Sequence, residues 1–133
     1  MDEQLRQAVR QHARRRCEYC HLAEAHSSLS FEIEHIIAEK HGGESTFENL
    51  AWACRYCNSY KGSNIAGIDP ASREIVPLFH PRRERWEDHF CWNGPSLTGL
   101  TPGGRATVAV LRINQPELVA LRQSLIAEAV SFR

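Results

Sequence analysis

Phe31-Glu32-Ile33-Glu34-His35-Ile36-Ile37 lies between two short cysteine knuckles, Cys17-Glu18-Tyr19-Cys20 and Cys54-Arg55-Tyr56-Cys57. What this bracketed segment becomes depends on what the four cysteines hold. Zinc prefers tetrahedral sulfur ligation, and a two-residue spacer lets both thiolates of a knuckle reach one ion. The 33 residues between the pairs exceed what a plain zinc ribbon needs, so the metal is expected to enclose a folded unit. Two redox-active pairs are the competing reading. A closed four-cysteine site is structural, because no coordination position stays open. Cys91, the fifth cysteine, is far from both knuckles in the chain and reads as a buried apolar thiol.

Inside the bracket, Leu29, Phe31 and Ile33 alternate with Ser30, Glu32 and Glu34, which predicts a half-buried strand over 29–36. Glu34 and His35 then point to opposite faces unless the strand ends or twists there. A carboxylate beside an imidazole, at a strand end next to a loop, suits metal binding plus proton abstraction. Residues 37–46 read as a loop, and Ser45 or Thr46 as the cap of a short turn holding Glu48 and Asn49. The apolar run Leu50–Ala53 leads into the second knuckle, followed by a helix to about Lys61 that Gly62 ends.

Outward from this core, residues 3–16 carry helical spacing at Leu5, Ala8, Val9, His12 and Ala13, with Arg14-Arg15-Arg16 at the end. Pro70, Pro77 and Pro81 mark 68–82 as an irregular connector. Trp86, Phe90 and Trp92 supply large apolar area. Thr101-Pro102 signals a helix start, and Asn114 restarts a helix to about Val130. The chain therefore divides into 1–67, a helix plus the bracketed motif, and 68–133, an extension that packs on it. His21 and His26 read as surface residues. His80 and His89, with Arg82, Arg83 and Arg85 beside Trp86, form a basic aromatic stretch that Glu84, Glu87 and Asp88 neutralise locally.

Taken in order, Cys17-x2-Cys20, Glu34-His35-Ile36, Gly42-Gly43, Glu48-Asn49-Leu50, Cys54-x2-Cys57-Asn58 and Lys61-Gly62 resemble the HNH endonuclease family, in its zinc-stabilised bacterial or phage branch. The resemblance covers about residues 17–67. It implies an α+β fold: a ββα-metal motif clasped by a four-cysteine zinc site, with an N-terminal helix and a mostly helical C-terminal extension. It implies DNA phosphodiester hydrolysis with His35 as general base and Asn49 orienting the loop and the base. Glu34 and Asn58 fall on ligands of one catalytic cation. The motif reads His-Asn-Asn here, and an oxygen-rich Glu/Asn pair leans toward Mg²⁺ or Mn²⁺. Arg55 and Lys61, near the same helix, and Arg14, Arg15 and Arg16 are candidate phosphate contacts. Leu78-Phe79-His80-Pro81-Arg82, Trp86-x2-His89-Phe90-x-Trp92 and Gly99-x-Thr101 more weakly resemble an extension found after the motif in some bacterial members.

Charge sets a further expectation. Lys plus Arg equals Asp plus Glu, 16 each, and 14 of the bases are arginine. A neutral chain does not coat a polyanion through bulk charge, and four thiolates around Zn²⁺ add two negative charges. Positive potential must come from the catalytic cation and a few placed side chains. No apolar run follows Met1, and no stretch is long enough to span a bilayer, so a cytoplasmic location is expected. DNA is the expected partner, with no membrane and no small-molecule substrate; a homodimer would serve double-strand cleavage. A non-enzymatic zinc module that binds nucleic acid or protein is the rival reading, and an RNA-directed nuclease the third.

Overall fold

The computed structural model describes residues 2–132. Helix α1 (Glu3–His12) opens on Asp2, whose carboxylate accepts from Gln4 N–H. It buries Val9 completely. The helix expected to reach residue 16 stops earlier, because Arg14 and Arg15 take left-handed backbone (φ 55° and 58°). Such backbone is costly outside glycine, but it turns the chain so that Arg16 bridges Ala23 and Cys17 enters the core.

Two short strands follow. β1 (Glu32–His35) pairs antiparallel with β2 (Leu50–Ala53), in a register that sets Glu34 opposite Ala51 and His35 opposite Leu50. β2 is buried along its whole length, and Trp52 is 2% exposed. Helix α2 (Arg55–Lys61) comes straight after it. Cys54 is its N-cap, and Gly62, at φ 50°, its C-cap. Strand, strand, helix is thus the order of the central motif, as expected.

The expected strand over 29–36 is corrected in length and in phase. Leu29 lies outside the strand and is 39% exposed, and Ile33 is only half-buried. The inward residues are Phe31, Glu34 and Ile36. Alternation placed the carboxylate outside, but dedicated polar partners described below let it turn inward.

The extension holds more sheet than its sequence suggested. β3 (Ala66–Ile68) and β4 (Ile75–Pro77) form one hairpin, β5 (Phe90–Asn93) and β6 (Ser96–Gly99) another. Helix α3 (Trp86–His89) leads into β5. Helix α4 (Pro102–Val110) starts where expected, with Thr101 Oγ1 accepting from Gly104 N–H. It packs on β3, β4 and β6. Helix α5 starts at Pro116 rather than Asn114 and runs to Ala127. Asn114 instead clamps Leu97, accepting from its N–H and donating to its C=O, each at 2.8 Å. Cys91 is exposed on β5, which corrects its assignment as a buried thiol. One continuous apolar core joins Val9, Trp52, Phe79, Phe90, Leu97, Ala106 and Leu111.

The extension also fastens to the motif through charge. Arg82 ion-pairs with Glu18 of the first knuckle, donates to Phe47 C=O at 3.2 Å and stacks over the Phe47 ring. Trp86 Nε1 donates to Tyr19 C=O at 2.9 Å, and the His21 ring stacks on Trp86 at 3.9 Å. His21, expected at the surface, is therefore part of this junction.

Candidate active site

The four knuckle cysteines meet as the sequence spacing requires. Their sulfurs all lie within 4.8 Å of one another, all buried and none in a disulfide. Cys20 Sγ and Cys54 Sγ are 3.7 Å apart. Four ligands at a zinc–sulfur distance of about 2.3 Å stand about 3.8 Å apart at tetrahedral corners. The cluster also makes chemical sense only around a cation. Hydrogen bonds from Cys17, Cys20 and Cys57 hold the Cys54 thiol far below the usual range. Cys20 and Cys57, bonded first to Cys17 and sealed from water, are pushed well up. Four thiols this close cannot all ionise unaided, and one divalent ion removes the conflict.

Tyr19 sits between the cysteines of the first knuckle and reaches strand β1. Its phenol donates to Glu34 Oε2 at 2.6 Å. Burial, then the Glu34 charge, raises the phenol well above its ordinary value, so it stays a donor. Glu34 Oε1 lies 2.5 Å from Lys61 Nζ, at an angle that leaves that oxygen without a well-formed hydrogen bond. Burial raises the Glu34 carboxyl against the pull of Lys61. Lys61 also donates to the carbonyls of His35 at 3.3 Å and Ile36 at 2.8 Å. With 1% of its side chain exposed, Lys61 cannot contact phosphate as the sequence suggested. It pins β1 to α2 instead.

His35 ends β1 on the opposite face. Its Nε2 is 2.9 Å from Ser45 Oγ and 3.7 Å from Glu39 Oε1. Asn49 does not touch the ring. Its Oδ1 accepts from Ile37 N–H at 2.9 Å, and its Nδ2 donates to the carbonyls of Ile37 (2.9 Å) and Glu44 (2.8 Å). The side chain thus ties the loop to the strand end. Gly43 allows this approach: a Cβ there would stand 1.7 Å from Ile37 O. Of the two expected caps, Thr46 stands at the N-cap of the turn at 47–49 but makes no side-chain capping bond, and Ser45 lies outside it.

Glu34, His35, Glu39 and Asn58 line one open cleft of about 350 Å³, together with Ile33, Ala38, Gly62 and Ser63. The structure therefore gathers Glu34, His35 and Asn58 at one place and sets Asn49 behind them. The Glu39 carboxylate and the Asn58 amide beside the His35 imidazole suit a hard divalent cation, whereas both oxygens of Glu34 face Tyr19 and Lys61 in the interior. Among the described residues, the four cysteines are the only drawn-together group of three or more His, Cys, Asp or Glu donors. A cation in the cleft would thus keep water at most of its positions. Arg55 is exposed and faces Glu32 at 3.8 Å. Arg14 and Arg16 line a different hollow of about 610 Å³, with His12, Glu18, His21 and Trp86, while Arg15 is exposed nearby.

Residues 17–64 match the model of the HNH endonuclease family. The match spans the two knuckles, the β1–β2 pair and α2, and stops before β3. The family resemblance of the bracketed segment is thereby shown, over 48 of the 133 residues. No curated protein and no solved structure matches the chain. Among the described residues no helix is long and apolar enough to cross a membrane.

Proposed function

We propose that this protein is an HNH endonuclease that hydrolyses DNA phosphodiester bonds with a divalent cation. The observation that carries the reading is the cleft that joins His35 to Asn58 and Glu34 within the family-matched segment. Asn58 would hold Mg²⁺ or Mn²⁺, joined by Glu34 if its carboxylate exchanges Lys61 for the cation, and the ion would supply Lewis-acid stabilisation of the phosphate and the departing 3′ oxygen. His35 takes the proton of the attacking water; an imidazole is suited to that task near neutral pH. The water oxygen bonds to phosphorus as the bond to the 3′ oxygen breaks. Asn49 keeps the loop beside the base, Tyr19 and Lys61 fix the strand that bears it, and zinc on the four cysteines closes the segment.

Arg55, Arg14, Arg15 and Arg16 are the candidate phosphate contacts that keep solvent access. Residues 68–133 form a scaffold for the nuclease segment. A chain of zero net charge has no bulk attraction for DNA, so affinity is weak, depends on the cation and falls with salt. One cleft addresses one strand; cutting both requires two protomers or two events. Four zinc-bound thiolates suit the reducing cytoplasm.

The test is nicking of supercoiled plasmid by purified protein with Mg²⁺ or Mn²⁺. His35→Ala should abolish nicking while keeping the parent's circular dichroism and zinc content. Full activity in His35→Ala would exclude His35 as base.

A further inference from the structure

We propose that Arg122, on α5 of the extension, is the counter-charge of the four-cysteine zinc centre. The proposal rests on zinc at those cysteines and is independent of the nuclease reading. Four thiolates around Zn²⁺ leave two negative charges in the interior, and buried charge is ordinarily matched by charge of opposite sign. The other buried charges of the fold obey this. Glu34 and Lys61 face each other, and Asp69 faces Arg105. Arg122, only 4% exposed, is the exception, for among the described residues no carboxylate forms an ion pair with it. Its guanidinium bonds neutral oxygens. Nε donates to Pro95 C=O at 2.5 Å, and one terminal nitrogen donates to Ile113 C=O at 2.8 Å and to Asn114 Oδ1 at 3.3 Å. The same group stands over the Trp92 ring at 5.3 Å. These partners solvate a cation but carry no net charge.

The anion within reach is sulfur. Arg122 and Cys20 line one hollow of about 10 Å³, whose other walls are Leu22, Leu118, Leu121 and Phe132. A space of that size holds one water at most, and its remaining walls are apolar, so charge across it is poorly screened. Burial lowers the Arg122 pKa, and thiolate charge at Cys20, Cys57 and Cys54 opposes that shift. The bonds to Pro95, Ile113 and Asn114 hold the guanidinium in place between the β5–β6 turn and the residues that lead into α5. A fixed cation there lowers the free energy of the doubly negative zinc–thiolate form and so tightens the metal. All four ligands lie in the segment matched to the family, whereas Arg122 lies well outside it. The extension thus contributes charge to the metal centre as well as packing.

The experiment measures the zinc affinity of the full chain by competition with a chromophoric chelator. Arg122→Met, which keeps an unbranched stem without the charge, should bind zinc about 10–100-fold more weakly than the parent, the usual scale for losing an outer partner of a metal site. Arg122→Lys should stay close to the parent. Arg122→Gln, which keeps hydrogen-bond donors without charge, should weaken like Arg122→Met. Parental affinity in Arg122→Met or in Arg122→Gln would overturn the proposal. The charge of the cluster separates a counter-charge from a merely structural arginine. In a Cys57→His background the centre carries one negative charge fewer while keeping a tetrahedral three-cysteine, one-histidine set. The penalty of Arg122→Met should shrink there, and an undiminished penalty would assign Arg122 to packing alone and overturn its electrostatic role. A parent that holds no zinc would remove the premise, and the proposal with it, while leaving the nicking assay to judge the nuclease reading.

Discussion

Lys61 Nζ and Glu34 Oε1 meet at 2.5 Å in the interior, with 1% and 2% of their side chains exposed. A pair this deep gives little net stability against an apolar pair of the same shape, yet removing one partner leaves an uncompensated charge. Lys61→Met should therefore cost about 3–5 kcal/mol, read from urea unfolding with zinc present. Converting Glu34→Leu in the same chain should recover part of the loss. A Lys61→Met variant as stable as the parent would mean that Glu34 is protonated in the fold, the direction in which burial already drives it.

Gly42 and Gly43 are adjacent but differ in kind. Gly42 has φ 90° with open space where a Cβ would go; at Gly43 the Cβ would strike Ile37 O. Gly42→Ala should cost about 1–2 kcal/mol from backbone strain alone. Gly43→Ala should cost about 2–3 kcal/mol as overpacking and should also slow nicking, because the clash falls on the clamp between loop and strand. Thermal unfolding and cleavage rates of the two variants separate the effects.

Asn49 and Asn114 make the same pair of hydrogen bonds to one peptide residue, accepting from its N–H and donating to its C=O, on Ile37 and on Leu97. Each replacement by Ala should destabilise by about 1–3 kcal/mol, the cost of orphaned peptide groups. Only Asn49→Ala should also lose activity, about 100-fold, since small misplacements of a base are amplified in rate. Equal losses of rate in both variants would show that general loosening, not loop placement, is responsible.

His80 predicts a pH dependence of stability. Its Nδ1 accepts from the N–H groups of Arg82 and Arg83, both at 3.2 Å. Burial, then the Arg83 charge, lowers its pKa below the ordinary 6.5. A base with a depressed folded pKa binds fewer protons in the fold than when unfolded. Stability is then full above about pH 6.5 and falls as pH drops through the window beneath it. His80→Asn, whose side-chain oxygen can accept the same bonds, should flatten that part of the profile in urea titrations.

The two proposed metals should separate by chelation. Brief EDTA treatment should stop nicking without changing circular dichroism, and Mg²⁺ or Mn²⁺ should restore it. Stripping the four cysteines should unfold the segment, since structural zinc is worth about 10–16 kcal/mol in zinc-finger peptides. Thiol titration and metal analysis should then report one zinc per chain.

The central motif was legible because its signals are local. Knuckle spacing, the Leu50–Ala53 run and the Gly62 stop each name an element without long-range information. Glu34 was not legible as an inward residue. Its burial depends on Tyr19 and Lys61, which lie 15 positions before and 27 after it, and alternation alone gave the wrong phase. Ser45 had a local explanation as a cap, which hid its contact with a ring ten residues earlier. The β5–β6 hairpin was missed because aromatic content at 86–92 reads equally as core or strand. Cys91 then followed the strand's outward face rather than its own hydrophobicity.

The cysteine clasp also sets an order of events. A ribosome releases Cys17 and Cys20 first, then the whole strand with His35, and Cys54 and Cys57 last. Until the last pair emerges, the ion has only half its ligands, and Tyr19 has no closed knuckle from which to reach Glu34. A chain ending before Cys57 thus carries His35 and Glu34 on a strand that nothing yet fastens. The clasp therefore closes once Cys57 is made, and Asn58, Lys61 and the extension that follow join a segment already fastened at both ends.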